Sequence, residues 1–520
     1  MKSRVVAAFG IVAIAMASSA VADSNWTSAG QNIQNTRHQS SESKIGVGTV
    51  GTLAVKWAFA TEGDVSATPA VDGAKVYFPD WMGNVYAVDR KTGIQAWQVK
   101  ISDVTGIPGD KARATPVISG DKVIVGTQGP FGGGGWMLAF DKNTGAVLWA
   151  TQLESHFAAI VTQSATVHGG RVYIGVASLE EALGGIIPGY VCCSFRGSML
   201  ALDADTGAIL WKTYMAPEGY SGNAIWGSSP AIDTRRGQVY VATGNNYSVP
   251  DDVEQCVINA GDDTDAVRAC MAADNLFDAV VALDLQTGAV RWATKALPAD
   301  TWIASCIGFG DPSTCPSPAG PDYDFGQAPA LFTVQADGTG KPRELVGAGQ
   351  KSGQYWVFDP DTGAVQWVTQ AGPGGTGGGL QWGSAVDDRR IYTANSNSNL
   401  KPWTLPDGSI TNRGVWSALD PATGEVLWQR SPPNADIGGW GETSGPVTTA
   451  NGVMFSCSVG PVGYMYALNG ATGEVLWTFP SGGSCLSGAA ISNGEVYWGS
   501  GYSNFGLGTP NNKVYAFKLP

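Results

Sequence analysis

Asp89-Arg-Lys-Thr-Gly-Ile-Gln-Ala-Trp97 is the first of seven copies of one pattern, Asp-x-x-Thr-Gly-x-x-x-Trp. Later copies end at Trp149, Trp211, Trp292, Trp367 and Trp428, and the last, Asn469-Gly-Ala-Thr-Gly-Glu-Val-Leu-Trp477, replaces the aspartate with asparagine. Each follows a short apolar run such as Val85-Tyr-Ala-Val88 or Met199-Leu-Ala-Leu202. One copy reads as a hairpin: a strand ends at the Asp, a Thr-Gly turn uses the freedom of glycine at positive φ, and the returning strand carries the indole. Two further strand-like runs precede each hairpin, for example Lys122-Val-Ile-Val-Gly126 and Val239-Tyr-Val-Ala242. Four strands per repeat, with a large ring at a fixed place to fill the gap between neighbouring sheets, is the recipe of a propeller blade. Counting Trp57, the repeat tryptophans lie about 40 to 81 residues apart, so the loops vary greatly and are where function is expected.

The chain ends complete the count. Val514-Tyr-Ala-Phe517 repeats the strand before the Asp, and Leu53-Ala-Val-Lys-Trp57 reads as the tryptophan strand without its partner. Together they predict an all-β, eight-bladed propeller of four-stranded antiparallel blades, closed by the N-terminal strand; seven blades is the alternative. A length of 520 residues is too great for one ordinary core, but a propeller is one domain of many small cores. The 71 glycines and the charged fraction of 14% suit a turn-rich β protein.

Lys2 and Arg4 precede an apolar stretch and then Ala20-Val-Ala22, the order of a secretion signal cleaved after Ala22. The expected organisation is a signal peptide over 1–22 and one propeller domain over 23–520, in the periplasm or secreted, with no membrane span after cleavage. The net charge of −13 becomes about −15 once Lys2 and Arg4 are removed. This acidity argues against nucleic acid and anionic membranes as partners. Eight cysteines in an exported chain are expected to pair. Proximity favours Cys256–Cys270, Cys306–Cys315 and Cys457–Cys485. Cys192 and Cys193 remain, and either join each other or pair elsewhere.

With these features the chain resembles the quinoprotein alcohol dehydrogenases, most closely the polyvinyl-alcohol dehydrogenase branch. The resemblance begins at Asn25-Trp-Thr-Ser-Ala-Gly-Gln-Asn-Ile-Gln-Asn-Thr-Arg37 and covers the mature chain. It implies pyrroloquinoline quinone as cofactor, with calcium or sometimes a lanthanide. It implies a vicinal disulfide, Cys192–Cys193, on one face of the quinone and Trp226, in Ala-Ile-Trp-Gly-Ser-Ser-Pro, on the other. Arg113 matches the arginine that binds a cofactor carboxylate, Lys351 the basic residue at the quinone oxygens, and Ser164 a hydroxyl donor. Asn395, Trp382, Trp440 and Thr443 lie on corresponding loops and are candidates to line the cofactor or substrate entrance.

The metal calls for hard oxygen ligands. Glu180 matches the ligand glutamate, with Glu181 beside it as the alternative, and Asn245 matches the ligand asparagine. Asp322-Tyr-Asp324 matches the segment of the catalytic aspartate. Counting back from Leu331 places Asp322 on the base and Asp324 on the extra carboxylate of lanthanide-using members; aligning on Asp-Phe-Gly places Asp324 on the base. Two close carboxylates repel unless a cation lies between them. The implied reaction is hydride transfer from a primary or secondary alcohol, with polyvinyl alcohol among the candidates, to the quinone, with an aspartate as general base. The three histidines, His38, His156 and His168, follow no Cys-x-x-Cys. No c-type haem site is therefore present in this sequence, and a separate cytochrome c is the expected electron acceptor. The rival readings are a periplasmic propeller that scaffolds proteins in outer-membrane assembly, which would not need the cysteine pair, and a polymer-binding lectin. The long inserts 251–278 and 298–322 are where specificity is expected.

Overall fold

The computed structural model describes residues 24–335 and 341–520. The signal expected over 1–22 lies outside them. Eight four-stranded antiparallel sheets form a ring of blades. Seven run in simple order from the inner to the outer strand, over 70–100, 117–154, 166–214, 231–295, 330–370, 385–430 and 448–480. The eighth takes three strands from 490–518 and its outer strand from Ala54–Ala60, paired antiparallel with Lys513–Lys518. The ring is thus closed by the N-terminal strand, as the repeat count predicts, and the alternative of seven blades is excluded. Among the described residues no helix is long and apolar enough to cross a membrane.

The hairpin motif builds each blade and also joins it to its neighbour. In the six Asp copies one carboxylate oxygen accepts both the Thr backbone N–H, at 2.8–3.0 Å, and the Thr hydroxyl, closing the turn. Asn469 accepts only the Ala471 N–H with its side chain. The glycine of each turn sits at φ of 71° to 77°. The preceding blade's indole lies directly on that glycine: a Cβ on Gly363 would stand 2.5 Å from the Trp292 ring, and one on Gly288 equally close to Trp211. The same indoles donate Nε1–H to a carbonyl one residue past the Asp, at 3.0 Å from Trp292 to Pro360 and 3.2 Å from Trp211 to Leu285. Trp57 of the closing strand does this to Arg90 of the first blade. Trp367 still packs on Gly424 but leaves its Nε1–H without a partner among the described residues.

A second device closes the axis. Residues 26–39 cross the centre of the ring and hydrogen-bond the inner strand of seven blades in turn, at Val71, Ile118, Ile232, Leu331, Val386, Thr449 and Ile491. This segment plugs one end of the central channel. The inserts are helical. Asp251–Ala260 and Thr264–Cys270 are tied by Cys256–Cys270, and two short turns in 304–314 by Cys306–Cys315. Cys457–Cys485 and the vicinal pair complete the four disulfides, so the proximity pairing holds.

The turn glycines therefore face two constraints, positive φ and an indole. Gly237 has φ of 65° with nothing within 4 Å of a Cβ, whereas Gly363 has both. Gly237→Ala is expected to cost about 1 kcal/mol. Gly363→Ala adds about 1–3 kcal/mol for the displaced indole. Urea unfolding midpoints of the two variants measure the difference, and equal losses would refute the indole contact as the cause.

Candidate active site

The channel opposite the plug holds a cavity of about 420 Å³. Trp226 and Trp382 lie on its floor with ring centroids 5.1 Å apart, edge to face. Arg113, Glu181, Tyr247, Asp322, Asp324, Lys351 and Trp440 stand around it. They come from connections at the same end of the ring, some between blades and some within one blade, such as the short helix Glu180–Leu183 that carries Glu181.

Lys351 is the electrostatic centre. It lies in the turn between Arg343–Gly349 and Gln354–Phe358. Its Nζ donates to Asp322 Oδ1 at 2.8 Å and lies 3.2 Å from Asp324 Oδ2, and it sits 5.5 Å from the Trp226 ring centre. The cation required between the two aspartates is thus supplied by this ammonium. Burial disfavours its charge, but Asp322, Asp324 and Glu181 outweigh that and raise its pKa above the ordinary lysine value. Asp324 is fully engaged: Oδ2 accepts from Trp226 Nε1 and Oδ1 from the Asn245 N–H, both at 2.9 Å. Among the described residues Asp322 accepts from Lys351 alone. Burial pushes its carboxyl well above the usual range, Lys351 opposes this, and Asp324 and Glu181 add to it.

Asp322 has φ of 58°, a left-handed position held from behind. Asp300 accepts the N–H groups of Asp322 and Tyr323 at 3.2 and 2.8 Å. Asp278, buried beside Asp300 and with neither oxygen otherwise partnered, is held well above the ordinary carboxylate value by burial and then by Asp300 and Asp324. Neither residue carries a motif, so the sequence offered no signal for them. Tyr247 could have been found from its place two residues after Asn245.

The two neighbouring glutamates separate. Glu180 is fully buried and faces away from the cavity. Its carboxylate grips the loop 190–195, accepting from the Tyr190 hydroxyl and from the N–H groups of Ser194 and Phe195 at 2.8 and 2.7 Å. His156 Nε2 approaches to 3.6 Å. Burial alone would raise the Glu180 pKa, but these hydrogen bonds hold it below the ordinary value. Glu181 lines the cavity instead, pushed up to about 7 by burial, with Lys351 opposing and Asp324 and Asp300 adding. Of the two expected alternatives, Glu181 lines the cavity and Glu180 does not, because a one-residue step on the short helix Glu180–Leu183 turns the side chain to a different side.

Other expectations change similarly. Ser164 is buried behind the wall with its N–H on Ser228, and Thr162, whose hydroxyl donates to the Trp226 carbonyl at 2.9 Å, lines the cavity in its place. Asn395 is fully buried under the rim, its Oδ1 taken by the Asn397 N–H, and does not line the cavity; nor does Thr443, which donates to the Asn395 carbonyl. Cys192 and Cys193 form their disulfide and pack in the same apolar cluster as Trp226. The Cys192 sulfur, however, is turned toward Gly184 and Ile303, so that Cys192 lines an adjoining cavity and neither cysteine lines the central one. That second cavity, about 560 Å³, lies between the two disulfide-tied inserts and shares Tyr247 with the first.

A metal and a quinone bearing carboxylates fit these residues. Among the described residues no three His, Cys, Asp or Glu side chains form a metal cage unaided. Glu181 and Asp322 offer oxygens at the cavity; Asn245 is buried behind its lining, its N–H on Asp324 Oδ1, its Nδ2 donating to the Asn246 and Trp302 carbonyls and its Oδ1 taking no bond from the described residues. A ligand's own oxygens would complete the set. Arg113 stacks 4.1 Å from the Trp382 ring centre, with Trp81 and Tyr502 also against it. Burial lowers its pKa, and no acidic side chain is paired with it among the described residues.

The split of the glutamates is directly testable. Glu180→Gln leaves one of the 190–195 amides without its charged acceptor, worth about 1.5–3 kcal/mol. Amide exchange at Ser194 and Phe195 is expected to accelerate by about ten- to a hundredfold, while Glu181→Gln leaves it unchanged. The same acceleration in both variants would mean that the two side chains are interchanged.

Residues 49–294 and 411–517 match the family model described as outer membrane protein assembly factor BamB. A polyvinylalcohol dehydrogenase of Sphingopyxis sp. (strain 113P3) is 32% identical over 74% of this chain and 55% of its own length. A second, from Pseudomonas sp., is 30% identical over 92% of this chain and 73% of its own. This chain thus spans only about half of the first relative. The structure of a quinohemoprotein alcohol dehydrogenase from Pseudomonas putida HK5 superposes with a TM-score of 0.71 at 19% identity, over 95% of this chain and 80% of that one, which shows a shared fold. The chain belongs to the propeller family of the matching model, and within it to the quinoprotein alcohol dehydrogenases, alongside the polyvinylalcohol dehydrogenases.

Proposed function

We propose that this protein oxidises alcohols with pyrroloquinoline quinone and a metal ion held in the central cavity, and that its electrons leave to a separate cytochrome c in the periplasm or outside the cell. The observation that carries this reading is the opposition across the Trp226 floor: a lysine locked between two aspartates on one side, and on the other an arginine with no acidic partner among the described residues. When bound, the quinone would supply the hydride acceptor and the metal a Lewis acid. Arg113 would hold a cofactor carboxylate, Lys351 would serve the quinone oxygens, and Trp226 would offer a flat apolar face. Glu181, Asn245 and Asp322 offer metal oxygens, with calcium the first choice and a lanthanide possible.

Asp322 is the general base in this reading. Its oxygens are free except for Lys351, whereas every oxygen of Asp324 is already engaged by Trp226, Asn245 and Lys351. Asp324 instead holds Trp226 and Lys351 in place and adds negative charge at the metal. The cavity between the inserts is where the remainder of a long alcohol, polyvinyl alcohol among them, is accommodated.

Apoprotein mixed with the quinone and either calcium or lanthanum is expected to oxidise ethanol, 2-butanol or polyvinyl alcohol in a dye-linked assay. Asp322→Ala loses about a hundredfold or more in kcat while still binding the quinone. Full activity in that variant would sink the base assignment. Absence of quinone binding by the wild type would instead support the assembly-scaffold reading named by the family model. A bulky side chain in the insert cavity, Ala299→Phe, should raise KM for polyvinyl alcohol several-fold and leave that for ethanol nearly unchanged; equal changes would exclude the inserts from polymer binding.

A further inference from the structure

Arg37 is buried to 2% exposure at the propeller axis, on the plug segment beneath the cavity floor. Only its Nη2 has a partner, the Ser228 hydroxyl at 3.3 Å; Nε and Nη1 have none among the described residues. Burial lowers its pKa to about 10, and no neighbouring carboxylate counters this. The group is still protonated at neutral pH. An isolated, desolvated charge is among the most costly features a fold can retain.

The surroundings are equally unusual. Arg37, Ser228 and Trp382 all adopt left-handed backbone conformations, at φ of 53°, 56° and 63°. Such strained non-glycine positions gather where structure is held for function. Ser228 links them, accepting from Arg37 and donating to the Trp382 carbonyl at 2.7 Å. Gly383 follows at φ of 136°, and a Cβ there would lie 2.1 Å from Arg37 Nε. Trp382 thus has one guanidinium against its ring, Arg113, and a second, Arg37, reached through Ser228 from its own backbone.

We propose that Arg37 is a remote counter-charge for the anionic cofactor, its uncompensated positive charge beneath the Trp226–Trp382 floor being neutralised by the quinone's carboxylates in the cavity above. This rests on the function proposed above. It adds a binding residue that never touches the ligand, and gives a reason for an unpaired buried arginine to persist. A small inorganic anion beside Arg37 would satisfy the same charge, and the test separates the two sources.

Quinone affinity is read by tryptophan quenching in apoprotein with calcium, using pyrroloquinoline quinone and its trimethyl ester, which lacks the charges. Arg37→Met is expected to weaken the free acid by about tenfold or more, the scale of one poorly screened charge, and the ester less than about twofold. Arg37→Lys, which keeps the charge, should hold acid affinity within about threefold. Equal weakening of acid and ester would show that Arg37 only props the floor, and overturn the proposal. Unchanged acid affinity, with a saturable rise in thermal stability from chloride that Arg37→Met abolishes, would assign the charge to a small anion and also overturn it. If Arg37→Met does not fold, a tenfold loss for the acid alone in Arg37→Lys would refute the electrostatic role. Failure of the wild type to bind either quinone would be a failure of the parent reading instead.

Discussion

One contact recurs around the ring, an indole lying on the turn glycine of the next blade. It explains why Thr-Gly and Trp travel together in the repeat. The glycine permits the turn, and its missing side chain leaves the space that the previous blade's tryptophan fills. The indole N–H then bonds the same turn, so neighbouring sheets are fixed in rotation as well as distance. Each blade is too small to bury a core alone, so stability depends on this step repeating until it closes. Trp57 on Gly93 is the closing step, which requires the N-terminal strand to complete the eighth sheet.

A ring of blades leaves a hole, and its two ends are used differently. The plug, residues 26–39, satisfies the inner-strand backbone groups of seven blades and turns one end into a floor. At the other end the connections between strands converge, with little secondary structure beyond short pieces such as the helix Glu180–Leu183. Polar groups can be placed there because the blades below hold the loop ends rigidly. The result is a dense set of acids, Glu181, Asp278, Asp300, Asp322 and Asp324, arranged around the single ammonium of Lys351. Such a set is tolerable only with protons or cations among its members. Lys351 supplies one positive charge; a metal would supply more. Of the two arginines, Arg113 lines the cavity against Trp382, and Arg37 lies behind the floor, joined to the Trp382 carbonyl through Ser228.

Much of this was legible in the repeat. Blade number, closure and the pairings of the distant cysteines followed from spacing alone, because hairpin chemistry is local and each turn announces itself with Asp, Thr and Gly. Of the site, Trp226, Arg113, Lys351, Asp322 and Asp324 were found from motif context, and the structure brings all five to one cavity. Glu180, Ser164 and Asn395 were placed there by the same reasoning and lie elsewhere. Each misses by a small rotation or one layer of packing, a difference that residue identity does not encode. Arg37 was read only as part of an opening segment, since nothing in a sequence shows which arginine will lack a partner.

The amino-acid sequence by itself determined the blade, its eightfold repetition and the chemical types gathered on the loops, because those depend on turn propensity and on side chains near in sequence. Only the tertiary structure decided which glutamate faces the cavity, that Lys351 divides the aspartate pair, that the cysteine pair borders the insert cavity, and that Arg37 is stranded under the floor. Those outcomes depend on distances between residues far apart in the chain, set once eight blades have closed around a plug.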